Sequence, residues 1–428
     1  MRKLLIIIIG LILLGGVGWY FYSRNSTSTQ GGVPSITDFS SFFPVKDVTD
    51  PSLLGDGVVP AGVVSSSTTE APVASTPTAL SKFKQLTPHP VAGFTAYTEP
   101  YKVTVAADPT NPKSKQTTET RYKHLIRYVS RTSGYVYEIE DSGVPLQVSN
   151  VYIPNIYEAV FGSKNQTALL RFLRDDMRTI ATYSVPIPPL NPDGTRTQKA
   201  GVYLPDNLQQ IAVSPDGSQV ARLSTDAQGT ALTLSTPTNT GISLLLRQSF
   251  SEWLLTWGGA KTLYLQTKAS AQALGYLYKV DTTEKKLRRV VGDINGLTTS
   301  VSPSGTYVLY SQSGNNGFVT KLLNTKTNTT RTLNLSILPE KCAWLQNEDL
   351  LCAGNTFVAE GTYPDDWYKG VISFNDALYR IYTNTITYET IYDGTERSFD
   401  MTNLAVDETN STLYFIDKPT GILWQVTY

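Results

Sequence analysis

The chain has 428 residues, 17% of them charged, and a formal net charge of zero. This balance leaves no basic excess to neutralise phosphates, so it argues against nucleic-acid binding. Only two cysteines and two histidines are present, which argues against a Cys/His zinc site, while the abundant tyrosine, glycine and proline favour a β-rich protein outside the cytoplasm.

An uncharged stretch, Leu4–Tyr22, follows Arg2 and Lys3 at the N-terminus. It is long enough to cross a bilayer as one helix, and the flanking charges place the N-terminus inside. A cleaved signal peptide is the alternative, but it requires a shorter apolar core and an A-x-A-like site. We predict a signal-anchor helix over residues 1–23 that contacts the membrane through residues 4–22. The protein is then a single-pass protein of the cell membrane, with its C-terminal domain outside the cytoplasm.

Residues 24–82 are predicted to be a flexible spacer. Ser65–Thr69 and Thr76–Thr78 are low in complexity and rich in Ser, Thr and Pro, and such segments bury too little apolar surface to fold. One aromatic patch, Phe39–Phe43, interrupts the polar composition. The spacer lets the outer domain stand off the membrane.

A repeat runs through residues 83–428. Ile211–Leu223 and Ser300–Tyr310 each read as a strand, a turn that contains Pro and Gly, and a second strand. Ser214 and Ser302 occupy equivalent positions, and 302 − 214 = 88, twice a period of 44 residues. Propeller blades repeat at about 40–45 residues, so the spacing predicts an all-β propeller.

Five further hairpins fit this spacing and bring the predicted number of blades to about seven. The earliest pairs Phe94–Tyr97 with Leu125–Val129 across a polar loop, Asp108–Thr120. The other four are centred on Gly162–Gln166, Trp257–Ala260, Asn347 and Glu408–Ser411. A two-sheet sandwich also uses short alternating strands, but the regular period favours the propeller.

The last blade offers only three strands before the chain stops. Phe83–Thr87, just before the first blade, is predicted to supply the fourth by pairing with Ile422–Thr427. Such pairing removes the open seam of the ring.

Ile211–Ala221 resembles the WD40-like repeat of TolB-type β-propellers, and Val301–Tyr310 is similar except that Ser304 stands where that family usually has Asp. Ile126–Val129, Ile153–Ala159 and Tyr363–Tyr368 resemble an uncharacterised group of membrane-anchored bacterial propellers. The resemblance implies an envelope location and no known activity. TolB-type repeats occur in binding proteins and in enzymes, so the fold leaves the function open.

The sequence contains no G-x-S-x-G, H-E-x-x-H or Walker A motif, and we predict no catalytic residues, metal or cofactor. The candidate binding loop is an insertion between the second and third strands of its blade. It combines Tyr363, Asp365, Asp366, Trp367 and Tyr368, and aromatic side chains with carboxylates make good contact surfaces. The alternative is that the aromatic side chains pack against a neighbouring blade and seal the insertion.

Cys342 and Cys352 lie at equal distances from the turn at Asn347. They are therefore predicted to oppose each other across a strand pair and to form a disulfide. The alternative is a pair of buried thiols.

These features predict a membrane-anchored, extracytoplasmic propeller that serves as a binding or scaffold module for an envelope protein or a surface glycan. The alternative is an envelope hydrolase acting on a glycan or peptide at the central pocket. Converging carboxylates with raised pKa values in a central pocket would favour the enzyme.

Overall fold

A computed structural model describes residues 82–105, 116–140, 143–162, 166–191 and 195–428. The predicted anchor helix and nearly all of the predicted spacer lie outside these residues. Within the described ranges, no helix is both long enough and apolar enough to span a membrane.

Seven four-stranded antiparallel sheets follow one another along the chain and form a propeller. The strands of blades 1 to 3 are β2 Val91–Val105, β3 Thr117–Ser130, β4 Val136–Ile139 and β5 Pro145–Gln147; β6 Glu158–Gly162, β7 Thr167–Leu173, β8 Ile180–Pro186 and β9 Val202–Tyr203; and β10 Gln210–Val213, β11 Val220–Asp226, β12 Gly229–Ser235 and β13 Ser243–Gln248. The strands of blades 4 and 5 are β14 Trp253–Gly258, β15 Thr262–Thr267, β16 Leu274–Asp281 and β17 Lys286–Asn295; and β18 Thr299–Val301, β19 Tyr307–Gly314, β20 Gly317–Asn324 and β21 Thr329–Thr332.

The last two blades complete the ring. Their strands are β22 Cys342–Trp344, β23 Leu350–Gly354, β24 Ala377–Tyr382 and β25 Thr387–Tyr392; and β26 Met401–Asp407, β27 Thr412–Asp417 and β28 Leu423–Thr427, joined by β1 Phe83–Gln85. A 3₁₀ turn, Pro339–Lys341, precedes β22, and a short helix, α1 (Asp365–Tyr368), follows β23. The predicted seven-bladed, all-β fold is confirmed.

The hydrophobic core lies between the blades. One cluster joins Leu223 and Leu232 of blade 3 to Leu255 and Leu263 of blade 4, and equivalent clusters join blade 1 to blade 2 and blade 7 to blade 1. First strands of several neighbouring blades contact each other, as β2 and β6 or β10 and β14 do. Because the two faces of each blade are covered by its two neighbours, the middle strands are apolar on both sides.

The two segments that revealed the repeat form matching turns. Ser214 Oγ accepts the Gln219 N–H at 2.9 Å, and Ser302 Oγ accepts the Tyr307 N–H at 3.0 Å. Gly217, at a φ of 70°, occupies the left-handed region that glycine enters without a steric penalty. The sequence similarity between the two segments therefore reflects one turn geometry.

The first blade differs from the prediction. The expected loop Asp108–Thr120 is shorter, because β2 continues to Val105 and β3 begins at Thr117. β4 pairs with β3 only over Ile126–Val129, so the outer part of β2 and β3 forms a two-stranded ribbon that projects from the blade. Threonine and valine along both strands favour the extended backbone, which polar composition alone did not reveal.

The predicted ring closure is confirmed. Phe83, Lys84 and Gln85 pair with Val426, Gln425 and Trp424 in antiparallel register. The Phe83 ring lies 4.8 Å from the Phe399 ring and 4.7 Å from the Tyr392 ring. β1 therefore adds both a ladder and a buried aromatic side chain to the last blade.

Removing residues 1–87 should destabilise the propeller far more than removing residues 1–81. The longer deletion exposes the edge of β28 and leaves a cavity where the Phe83 ring was. Loss of a buried Phe side chain alone lowers the free energy of unfolding by about 3–5 kcal/mol. Urea unfolding of the two truncated proteins measures the difference. Equal unfolding midpoints would contradict the role assigned to β1.

Candidate functional site

The propeller has two faces with different decoration. We call the side with the turns between first and second strands the lower face, and the opposite side the upper face. In antiparallel blades, the connections between second and third strands and those between blades lie on the upper face. The predicted binding insertion joins β23 to β24 and therefore belongs to the upper face.

The insertion spans residues 355–376 and reaches over its neighbours in the ring. Asp365 Oδ2 accepts the Ala271 N–H of blade 4 at 2.7 Å. The Tyr363 ring lies 5.0 Å from the Phe318 ring of blade 5, and Ser313 Oγ of the same blade donates to the Tyr363 carbonyl. The insertion thus contacts two blades that precede its own.

Helix α1 also contacts blades 6 and 7. The Tyr368 hydroxyl donates to Glu340 Oε1 at 2.5 Å, at the start of blade 6. The Trp367 indole N–H donates to both Asp400 carboxylate oxygens, at 3.1 and 3.0 Å, and Lys418 Nζ donates to the Trp367 carbonyl at 2.6 Å. The insertion as a whole, helix α1 included, therefore ties four consecutive blades together on the upper face.

A buried ion cluster lies beneath this helix. Lys341 is fully buried, and its Nζ lies 2.9 Å from Asp376 Oδ2 and 2.5 Å from Asp400 Oδ1. The same Nζ donates to the Met401 carbonyl at 3.0 Å and lies 4.8 Å from the centre of the Phe374 ring. A buried ammonium needs such compensation, because its desolvation is costly.

Burial also perturbs the protonation of this cluster. It raises the pKa of Asp376 to about 6, although Lys341 opposes this shift. Burial lowers the pKa of Lys341, but Asp376 and Asp400 outweigh it and raise that pKa overall. The Asp376 Oδ1 atom, among the described residues, is buried without a hydrogen-bond partner. The carboxylates of Asp376 and Asp400 therefore converge on Lys341 and not on a pocket that a substrate could enter.

These contacts decide what the predicted binding loop exposes. Tyr363 is 1% exposed and Trp367 is 3% exposed, so neither ring offers a surface to a partner. Asp366 Oδ2 accepts the Thr362 N–H at 2.7 Å, and Asp365 holds blade 4 as described. The predicted binding role of this loop stays a prediction, and it can concern only the atoms that the loop leaves exposed.

An open cleft lies on the lower face. It has a volume of about 570 Å³ and lies between the base of the blade 1 ribbon and the first turns of blades 2 and 3. Its lining residues are Thr95, Tyr97, Thr98, Glu99, Pro100, Phe161, Gly162, Gln166, Ser214, Pro215, Asp216 and Gly217. Sequence reasoning missed this cleft, because its walls come from three distant segments.

The cleft is polar and acidic. Ser214 and Ser218 donate to the Asp216 carboxylate, and these hydrogen bonds lower its pKa to about 2. Asp216 is therefore ionised at neutral pH. Glu99 is half exposed and lies 3.8 Å from Lys123. Among the described lining residues, these two are carboxylates and none is basic.

The wall of the cleft rests on a buried ion network. Glu138 accepts from Arg127 at 2.6 Å and from Arg196, which belongs to blade 2, at 2.9 Å. The Arg127 guanidinium lies 5.1 Å from the centre of the Tyr97 ring. Tyr97 is thereby held against Arg127, and Arg196 of blade 2 reaches the same network through Glu138.

Cys342 and Cys352 pair directly across β22 and β23. Their Cα atoms are 4.1 Å apart, and the two sulfurs form a disulfide. The bond joins the first two strands of the blade that carries the insertion. Its formation in the cell stays a prediction.

Two observations concern residues that often take part in catalysis or metal binding. His124 Nδ1 lies 2.7 Å from Asp407 Oδ2, which joins blade 1 to blade 7. No group of three or more His, Cys, Asp or Glu side chains within the described ranges is arranged to hold a metal ion.

Comparison with known proteins concerns the fold. No protein-family model and no curated protein matches the chain. TolB from Acinetobacter baumannii is 12% identical with a TM-score of 0.39, over 63% of this chain and 61% of TolB, which is less than two thirds of its length. An oligogalacturonate lyase in complex with manganese is 11% identical with a TM-score of 0.47, over 71% of this chain and 85% of the lyase.

A third similar structure is the β-propeller domain of the Trilobed protease from Pyrococcus furiosus, which has an open velcro topology. It is 11% identical with a TM-score of 0.41, over 61% of this chain and 76% of that domain. TolB, the lyase and this propeller domain are similar structures only, each with a TM-score below 0.5. The seven sheets themselves establish the fold.

Replacing Lys341 by Met should destabilise the protein by about 3–5 kcal/mol, because Asp376 and Asp400 lose their buried counter-ion. A carboxyl whose pKa is higher in the folded state opposes folding above that pKa, and this opposition fades as pH falls. Since the pKa of Asp376 is about 6 with Lys341 present, the stability lost by Lys341→Met should become smaller as pH falls from 7 to 5. Urea unfolding at both pH values measures it.

The matched control is Lys326→Met on an exposed turn, which should change stability by less than about 0.5 kcal/mol. Combining Lys341→Met with Asp376→Asn and Asp400→Asn should restore part of the lost stability. A Lys341→Met protein as stable as the control would contradict the assigned ion cluster.

Protein isolated without reduction should carry no alkylated cysteine, and reduction before alkylation should label both Cys342 and Cys352. Intact-mass spectrometry separates the two states. Replacing both by Ser should cost about 2–3 kcal/mol, since the loop that the bond closes is short. Two free thiols in protein taken from intact cells would refute the disulfide there.

Proposed function

We propose that the chain is a membrane-anchored, extracytoplasmic β-propeller of the cell envelope that works as a binding or scaffold module. Its partner is an envelope protein or a surface glycan. The observation that carries the proposal is the open lower-face cleft of about 570 Å³, bordered by a ribbon that projects beyond the ring. Concave sites with a few convergent polar groups are the usual places of ligand binding.

The distribution of carboxylates supports binding over hydrolysis. Asp376 and Asp400 are buried and paired with Lys341, so they face no cleft. In the lower-face cleft, the low pKa of Asp216 keeps this carboxyl ionised at neutral pH, where it has no proton to donate as a general acid. The alternative of an envelope hydrolase therefore finds no exposed general acid among Asp216, Asp376 and Asp400.

The anchor and location rest on the sequence. Leu4–Tyr22 is uncharged and of spanning length, and the folded ring begins at Phe83, after the predicted spacer. A ring of this kind at the end of a long tether samples a wide volume above the membrane. Such an arrangement suits a module that captures a partner held elsewhere in the envelope.

Deleting Leu4–Tyr22 should move the protein from the membrane fraction to the soluble fraction while the propeller stays folded. Fractionation after a salt wash, together with the thermal unfolding midpoint of the released protein, checks both statements. If the deleted protein remained with the membranes, the single-anchor proposal would fail, and the Phe39–Phe43 patch would be the next contact to remove.

Crosslinking in intact cells tests the binding role. The full-length protein, treated with a membrane-impermeant crosslinker, should be recovered with a defined envelope protein or glycan. The protein lacking Leu4–Tyr22 is the control and should not recover that partner from the cell surface. Recovery of the full-length protein alone would count against a scaffold function.

A further inference from the structure

The lower-face cleft runs along a free strand edge. β2 is the end strand of its sheet, so β3 is its one partner in the described ladder. In an antiparallel pair, alternate residues of such a strand point their N–H and C=O groups away from the partner. Consecutive residues Tyr97, Thr98 and Glu99 all line the cleft. Because successive side chains alternate between faces, this lining places the backbone edge itself at the cleft.

The wall opposite this edge is shaped by turns. Phe161 and Gly162 end the first strand of blade 2, and Pro215 and Asp216 lie in the first turn of blade 3. An added strand would lie about 4.8 Å from β2, within the cleft of about 570 Å³ that separates this edge from the turns. Pro100 has no N–H, so the edge can pair with only a short segment.

The charge of the cleft selects among segments. Glu99 and Asp216 are exposed carboxylates that line the cleft. Lys123 lies 3.8 Å from Glu99 but is shared with Glu140 at 3.0 Å, so the carboxylates stay in excess. A segment with Lys or Arg finds complementary charge here, whereas an acidic segment meets like charge. Tyr97, which is only partly buried, supplies ring surface in the same cleft, which suits the aliphatic part of a basic side chain.

We infer that the lower-face cleft binds a short, extended, basic peptide segment of the partner protein, which pairs with the free edge of β2 at Tyr97–Glu99. The segment adds a strand to blade 1, so main-chain hydrogen bonds supply affinity and the carboxylates select the side chain. This inference rests on the proposed binding function and names the partner as a protein. A glycan partner would leave the proposed function intact and overturn the inference.

Site-specific photo-crosslinking in cells provides the first test. The full-length protein carries benzoylphenylalanine at Gln166, which lines the cleft, or at Phe357, an exposed upper-face residue that is the control. We expect adducts from Gln166 and none from Phe357, and peptide mapping should place the adduct within a few residues of Lys or Arg. Adducts from Phe357 alone, or a glycan adduct at Gln166, would overturn the inference.

A synthetic copy of the mapped segment provides the second test. Its affinity for the full-length protein should fall roughly fivefold to twentyfold when Glu99→Gln and Asp216→Asn are combined. The double change Glu360→Gln and Glu396→Gln removes the same charge from the upper face and should leave affinity unchanged. Methylating alternate amide nitrogens of the peptide should weaken binding at least tenfold in one register.

The outcomes separate the two proposals. If neither position yields adducts and the general crosslinker recovers nothing, both the binding function and the peptide site fail. If the general crosslinker recovers a partner but the peptide is acidic, or if N-methylation in either register has no effect, only the peptide site fails.

Discussion

The pairing of Phe83–Gln85 with Leu423–Thr427 is the constraint on which the ring depends. Each blade buries its faces against two neighbours, so the apolar clusters are complete only if the first and last blades also meet. β1 enforces this meeting, because it comes just before blade 1 in the chain but belongs to blade 7. The Phe83 ring then joins the aromatic cluster of Phe399 and Phe415. A propeller closed in this way holds its two faces as fixed surfaces.

The two faces of the ring differ in what they bury and what they expose. On the upper face, the insertion contacts blades 4 to 7, and the Lys341 cluster neutralises the charges it buries. On the lower face, the blade 1 ribbon leaves a cleft with exposed carboxylates. The sequence predicted a binding loop on the upper face, at the connection between the second and third strands of blade 6. The large aromatic side chains of the insertion are instead used to hold the ring.

Several features of the site were readable from the sequence. The equal spacing of Cys342 and Cys352 about Asn347 predicted their opposition, because strand register depends on local turn geometry. The position of the insertion between β23 and β24 followed from the repeat period in the same way. Burial of Trp367 against a neighbouring blade was the alternative to a binding surface, since large aromatic residues are usually buried. The ribbon was missed, because its polar composition resembles that of a loop.

The sequence by itself determined the blade count, the hairpin registers and the ring closure, because these depend on short-range turns and on a period that repeats along the chain. Only the tertiary structure decided the ion cluster and the cleft. Lys341, Asp376 and Asp400 belong to three separate segments, and each looks like an ordinary surface charge in its own context. Likewise, Tyr97, Phe161 and Asp216 meet only because three blades are adjacent. Proximity between blades depends on how the sheets pack, which no local pattern encodes.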